Sequence, residues 1–200
     1  MTRKYRSRFN GILEVNEVNG EKVLDGKSAN YSYGNLKIVW DKGLHKIGIE
    51  NVERVLVLGM GGGSVIELLR EKYNFNGKIV AIEIDPVIIE IAAHEFGITN
   101  DKSLRIECID AAEYVTKRTS RFDLILVDLF IDDKIPGKLL SVEFWQLLAG
   151  KAAIHCKILF NAFEDTGKLE GVKSALLNAG FTIKIFKNVN GANLMIFAVR

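Results

Sequence analysis

From about residue 51 onward, short apolar runs alternate with helix-length segments, and this alternation restricts the possible folds more than any other feature of the chain. The runs fall at 55–58, 78–84, 104–108, 123–128 and 152–160, and the segments between and after them near 64–73, 86–96, 111–118, 141–149 and 167–179. Successive strands that each return through a helix pair in parallel, so the pattern predicts an α/β fold with a parallel sheet covered by helices. The pattern then breaks. FTIKIF (181–186) and LMIFAV (194–199) are joined only by KNVNGAN, well short of the roughly dozen residues that a parallel crossover requires. The last two strands must therefore form an antiparallel hairpin.

Upstream, GILEVNEV and EKVLDG flank Asn19-Gly20, a pair suited to a type I′ turn, and predict a hairpin. ANYSYGNLKIVW reads as a further strand. The opening MTRKYRSRFNG carries Arg3, Lys4, Arg6 and Arg8 with no apolar stretch behind them. It reads as a solvated tail, neither signal peptide nor membrane anchor. The expected division is a tail and small β segment over 1–50 and a Rossmann-like domain over 51–200. With 27 basic against 25 acidic residues and a formal net charge of +2, nothing draws the chain generally to nucleic acid or membrane. A cytoplasmic location follows by default. Cys108 and Cys156 fall in strand-like runs without the His spacing of a metal site, and read as two buried thiols in a reducing compartment.

VLVLGMGGGSVIELL, residues 55–69, is strand, glycine loop and helix in succession. Gly59, Gly61 and Gly63 let the backbone take positive φ and let a ligand approach, while a helix start offers unpaired N–H groups. The loop lacks the Gly-Lys-Ser/Thr ending of a P-loop, which argues against an NTPase. A dinucleotide pattern would need Ser64 in place of its third glycine.

In open α/β sheets ligands lie beyond the carboxyl ends of the strands, and here those positions are acidic. Glu83 lies 24 residues after Gly59, near the offset at which an acid accepts hydrogen bonds from ribose hydroxyls. Asp85, followed by Pro86, reads as a helix N-cap. Asp110 is equally a cap or a partner for an adenine amine. Asp128, after FDLILV, is the catalytic candidate, and Asp132 and Asp133 in VDLFIDDKIP are candidates for substrate contact. Acids at three successive strand ends would repel a pyrophosphate and attract a cation such as the sulfonium of S-adenosylmethionine or the ammonium of an amine acceptor. Tyr31, Tyr33, Trp40, Phe130 and Trp145 are assigned to the core.

VLVLGMGGGSVIELL, VAIEIDPVIIEIA, CIDAAEYV and FDLILVDLF, in that order and spacing, resemble the spermidine synthase group and its methyltransferase-like relatives, and KVLDGKSANYSYGNL is similar to the small N-terminal β segment of that group. The resemblance implies a class I methyltransferase (Rossmann-like) fold: a parallel sheet with a terminal antiparallel hairpin plus the N-terminal β segment. It also implies S-adenosylmethionine or its decarboxylated form as cofactor, bound at Gly59, Gly61 and Gly63 with Glu83 on the ribose and Asp110 on the adenine. Asp128 would be the aspartate that orients and helps deprotonate an attacking amine, no metal is required, and the N-terminal strands would pair in a homodimer. Three departures stand out. The group's GGGDGG has an aspartate engaging the aminopropyl donor's amine, where this chain has Gly62. DSxDP is replaced by Asp128-Leu-Phe-Ile-Asp132-Asp133, and a tyrosine-glutamine or tyrosine-histidine pair appears as Trp40-Asp41. DLFIDDKIP followed by the helical SVEFWQLLAG, and later LFNAF around Asn161, looks more like the methyltransferase-like branch. The expected function is methyl transfer to a small acceptor, an amine among the candidates. Aminopropyl transfer is the alternative within the fold; an NAD-dependent oxidoreductase and a noncatalytic relative are the alternatives outside it.

Overall fold

A computed structural model describes residues 2–27, 30–117, 119–131, 134–163, 166–190 and 193–200. It contains two sheets. The first is antiparallel, with strands β1 (Arg3–Ser7), β2 (Gly11–Val18), β3 (Glu21–Asp25) and β4 (Asn30–Ser32) side by side in chain order. β2 and β3 form the expected hairpin, turning at Asn19 (φ 52) and Gly20 (φ 82), the positive φ pair that a type I′ turn demands.

Helix α1 (Gly34–Ile47) leads to the second sheet, which has seven strands: β5 (Arg54–Leu58), β6 (Lys78–Glu83), β7 (Leu104–Cys108), β8 (Phe122–Val127), β9 (Ala152–Phe163), β10 (Thr182–Phe186) and β11 (Asn193–Val199). Their order across the sheet is β10-β11-β9-β8-β5-β6-β7. β5 to β9 are parallel, and β11 runs antiparallel to both β9 and β10. The helices α2 (Ser64–Glu67, continued by a π-helical turn over Leu68–Lys72), α3 (Pro86–Phe96), α4 (Ala111–Lys117), α5 (Val142–Ala149) and α6 (Glu170–Asn178) lie between the strands in the chain. β5 has β6 on one side and β8 on the other, so the winding reverses there, and a crevice is expected above the carboxyl ends of β5 and β8.

β5 and β8 read as unbroken apolar runs because both faces of the sheet are covered. Trp40 and Leu44 of α1 and Ile66 and Leu69 of the second helical segment bury one face; Tyr114, Trp145, Leu148, Val172 and Leu176 of α4 to α6 bury the other. Fully burying each of these side chains contributes roughly 1.5–3 kcal/mol. Among the described residues no helix is long and apolar enough to cross a membrane.

The structure corrects three expectations. ANYSYGNLKIVW is a three-residue strand followed by a helix. Tyr33 (φ 68) and Gly34 (φ 52) turn the chain, after which Val39, Trp40, Gly43 and Leu44 fall on one buried helical face. Gly43 permits close packing: an added Cβ would lie 2.7 Å from Leu159 Cδ2 and 2.8 Å from Met195 Sδ.

The basic opening segment is a strand, not a tail. β1 pairs with β2, and Arg3 Nη1, Tyr5 Oη and Lys22 Nζ donate to the Glu95 carboxylate of α3 at 2.5, 2.6 and 3.0 Å. The hydrogen bonds from Tyr5 and Arg3, despite desolvation, hold that carboxyl down to about 2. Leu13, Val15 and Leu24 of the small sheet pack on Ile88 and Ile91 of α3. Arg3 and Lys22 thus clamp the small sheet to α3, while Lys4 pairs with Glu14 of β2. Finally, Cys156 is buried as expected, whereas Cys108, at the end of edge strand β7, is exposed.

Candidate active site

A cleft of about 330 Å³ opens above the carboxyl ends of β5, β6, β7 and β8, where the winding reverses. Gly59, Gly61, Glu83, Asp110 and Asp128 all line it, so the acids nominated from separate strand ends share one concavity. Gly63 does not line it; it turns at φ 92 ahead of α2, where an added Cβ would lie 2.6 Å from Ile98. Asp132 and Asp133 lie outside the described residues. Of the five aromatics assigned to the core, Tyr33, Trp40 and Trp145 are buried, while Tyr31 and Phe130 form cleft wall.

The glycine loop does something other than offer free amides. Gly59 N and Met60 N donate to Ile82 O at 2.9 and 3.1 Å, and Gly63 N donates to Met60 O at 3.1 Å. Gly61 N donates to Glu83 Oε2 at 3.1 Å, and Gly62 N to Ser32 Oγ at 2.6 Å. Every N–H from Gly59 to Gly63 therefore has an acceptor within the protein. A phosphate cradle needs those donors aimed at the ligand. The glycines instead allow close approach of neighbouring backbone. A Cβ on Gly61 would lie 2.5 Å from Tyr31 O, and one on Gly59 would overlap Asp128 O.

Glu83 is buried at the end of β6. Its second oxygen accepts from Asp85 N at 3.1 Å, and desolvation, only partly offset by these backbone donors, pushes its carboxyl up to about 7. Asp85 caps α3 as expected, accepting from Val87 N at 3.0 Å. Its other oxygen accepts from Ser7 Oγ and, at 2.6 Å, from Asn10 Nδ2. Asn10 in turn accepts from Tyr31 Oη at 2.8 Å. The small sheet is thereby tied to the wall of the cleft.

Asp110 is both a cap and a cleft group. Oδ1 accepts from Ala112 N at 2.8 Å, and Oδ2 pairs with Lys138 Nζ, whose side chain is more than half exposed.

Asp128 follows β8. Trp40 Nε1 donates to its Oδ2 and Asn161 Nδ2 to its Oδ1, both at 2.9 Å. Desolvation pushes its carboxyl up to about 6 against the pull of these two donors. The group is therefore mostly ionised near neutrality yet close enough to that range to exchange a proton, as a general base requires.

Trp40 could be quoted from the sequence but not placed, because its contact with Asp128 spans 88 residues. Lys138, Asn193 and Ser32 gave no signal: each acquires meaning only from what the fold sets beside it.

Residues 42–155 match the family model described as spermine/spermidine synthase domain. A polyamine aminopropyltransferase of Vibrio vulnificus (strain CMCP6) is 33% identical over 136 residues, 64% of this chain and 44% of that protein. An eEF1A lysine and N-terminal methyltransferase of Mus musculus is 29% identical over 92 residues, 44% of this chain and 13% of that protein. The chain thus spans less than half the length of these curated relatives. The crystal structure of a probable spermidine synthase from Corynebacterium glutamicum ATCC 13032 superposes with a TM-score of 0.82 at 15% identity, over 100% of this chain and 80% of that one. At that identity the likeness establishes the fold, which is the Rossmann-like one expected.

Proposed function

This chain belongs to the spermine/spermidine synthase domain family, and on that premise we propose that it binds S-adenosylmethionine in the cleft and transfers a methyl group to a small acceptor, with an amine nucleophile meeting Asp128. One observation carries the reading: Glu83, Asp110 and Asp128 converge on a cleft whose glycine loop has its own N–H groups already bonded. Such a lining offers acceptors to hydroxyls, an amine and a cation, and no nest to a pyrophosphate. This disfavours the dinucleotide alternative.

When bound, the cofactor supplies a methyl carbon activated by positive sulfur. After accepting from the backbone of Gly61, Asp85 and Ile84, the Glu83 carboxylate keeps acceptor capacity for a ribose hydroxyl. Asp110 is placed to receive an adenine amine at Oδ2, which the exposed Lys138 can share or yield at little cost. Asp128 fixes the acceptor in line and takes its proton, so positioning supplies most of the acceleration.

Methyl transfer is favoured over aminopropyl transfer by position 62. The aspartate that the resemblance would place there, on the donor's amine, is Gly62 in this chain. Its Cβ direction is filled by Ser32 and Phe96, 2.9 and 3.1 Å away. Aminopropyl transfer is the second reading, favoured by the identity to a protein named polyamine aminopropyltransferase. Calorimetric titration with S-adenosylhomocysteine and with decarboxylated S-adenosylmethionine separates the two: tighter binding of the decarboxylated compound would reverse the order. Asp128→Asn should lower turnover by about 10²- to 10⁴-fold with nucleoside affinity retained. Full turnover in that variant would remove Asp128 from the reaction.

A further inference from the structure

We propose that Asn161 and Asn193 are positioning residues that hold the Asp128 carboxylate in its proton-accepting state, Asn161 by direct contact and Asn193 through Asn161. The inference deepens, and rests on, the reading of Asp128 as the group that meets the acceptor.

The two asparagines stand on neighbouring antiparallel strands. In the β9–β11 register Asn161 faces Met195 and Asn193 faces Phe163, which makes Asn161 and Asn193 diagonal neighbours on one face of the sheet. Asn161 is 1% exposed, so water cannot substitute for a lost partner at little cost.

The direction of the hydrogen bonds follows from chemistry. An ionised carboxylate only accepts, so Asn161 must turn Nδ2 toward Asp128. That leaves Asn161 Oδ1 facing away as an acceptor, and Asn193 Nδ2 supplies its donor at 2.8 Å. A protonated Asp128 would prefer the opposite arrangement, donating to a turned-over Asn161 Oδ1. The turn would set Asn161 Nδ2 against Asn193 Nδ2, donor against donor, in a buried place, unless Asn193 turned with it, so the two amides must turn together. Asn193 therefore latches Asn161 in the orientation that suits the charged acid.

Among the described residues, the hydrogen-bond partners of Asp128 from other elements are uncharged: Trp40 on α1, Asn161 on β9 and, one step further, Asn193 on β11. The charged groups that share its cleft, among the described residues, are Glu83 and the Asp110–Lys138 pair. None of these replaces the amide donor.

Asn161→Leu and Asn193→Leu, each in the full chain, test the proposal through two readouts. One is the acid limb of kcat/KM against pH; the other is the titration of the Asp128 carboxyl followed by its carbon-13 chemical shift. Asn161→Leu should raise the Asp128 midpoint by about one pH unit. Asn193→Leu should raise it less, in the same direction, with kcat/KM recovering toward wild type as pH increases. An Asp128 midpoint unmoved in Asn193→Leu overturns the latch, and one unmoved in both variants overturns the proposal entirely. So does a pH-independent loss of kcat/KM, which is what a purely structural role would give. Should Asn161→Leu fail to fold, the half-buried Asn193 position carries the test. If the wild-type protein turns over no donor and acceptor, the transferase reading fails, while the carboxyl titration still decides the role of the asparagines.

Discussion

Replacing Gly59 by alanine tests how tightly β5 and β8 brace the cleft between them. Gly59 sits at φ 82, a region that costs an L residue about 1–2 kcal/mol. The added Cβ would also fall well inside the 3.0 Å limit of real Cβ contacts against the carbonyl oxygen of Asp128. That oxygen is backbone, and the Asp128 N–H is itself bonded to Leu58 O at 2.8 Å, so no side chain can rotate away. Relief requires the end of β8 to move by about 1 Å, carrying the Asp128 carboxylate with it, and a misplacement of that size costs about 10²-fold in rate. Gly97 provides the control. It has φ 70, but nothing lies within 4 Å of its added Cβ, so Gly97→Ala carries the backbone strain without the collision. Thermal unfolding and turnover, measured on both variants and the wild type, separate the contributions. Gly97→Ala should lose about 1 kcal/mol with turnover intact. Gly59→Ala should lose about 2–4 kcal/mol and most of its turnover. Equal losses in the two variants, or a Gly59→Ala protein with wild-type turnover, would refute the idea that the β5 loop braces Asp128.

Glu83, pushed up to about 7 from 4.5, is protonated more readily in the native than in the unfolded chain. Its contribution is fully present below the unfolded value and is lost as pH rises through about 7, on the order of 3 kcal/mol. The urea midpoint of the wild type should therefore fall relative to that of Glu83→Gln from about pH 5 to pH 8; a constant difference would contradict the assignment. Glu95 has the opposite sign. Its carboxyl is held near 2, so its stabilisation is present above about 4.5 and lost as pH falls through about 2. Glu95→Gln should cost about 2–3 kcal/mol at neutral pH, and its urea midpoint should converge with that of the wild type in acid. Gly62→Asp should lower the melting temperature, since Ser32 and Phe96 already occupy the Cβ direction. It should not improve affinity for decarboxylated S-adenosylmethionine; a tenfold gain by calorimetry would show that position 62 faces the ligand.

The large sheet was readable because each of its central strands is a short apolar run separated by a helix-length segment, and the short link after β10 left only an antiparallel solution. What was not readable depended on distance or on context. The need for glycine at position 43 shows only once Leu159 and Met195 lie against it. Arg3 and Tyr5 look solvated until α3 brings Glu95 to them across some ninety residues. Within the site, strand-end position alone identified Glu83, Asp110 and Asp128, because a parallel sheet delivers all its carboxyl ends to one rim. It could not show that the glycine loop spends its amides internally, since the acceptors Ile82 O and Ser32 Oγ lie on other elements. Nor could it show Trp40 and Asn161 gripping Asp128, a contact made only by folding.

The placing of β11 between β9 and β10 has a consequence for biosynthesis. As the chain leaves the ribosome, β10 emerges before the strand that joins it to the sheet, and β9 presents an unpaired edge until that strand inserts. A nascent chain paused in this interval has open backbone available to other nascent chains.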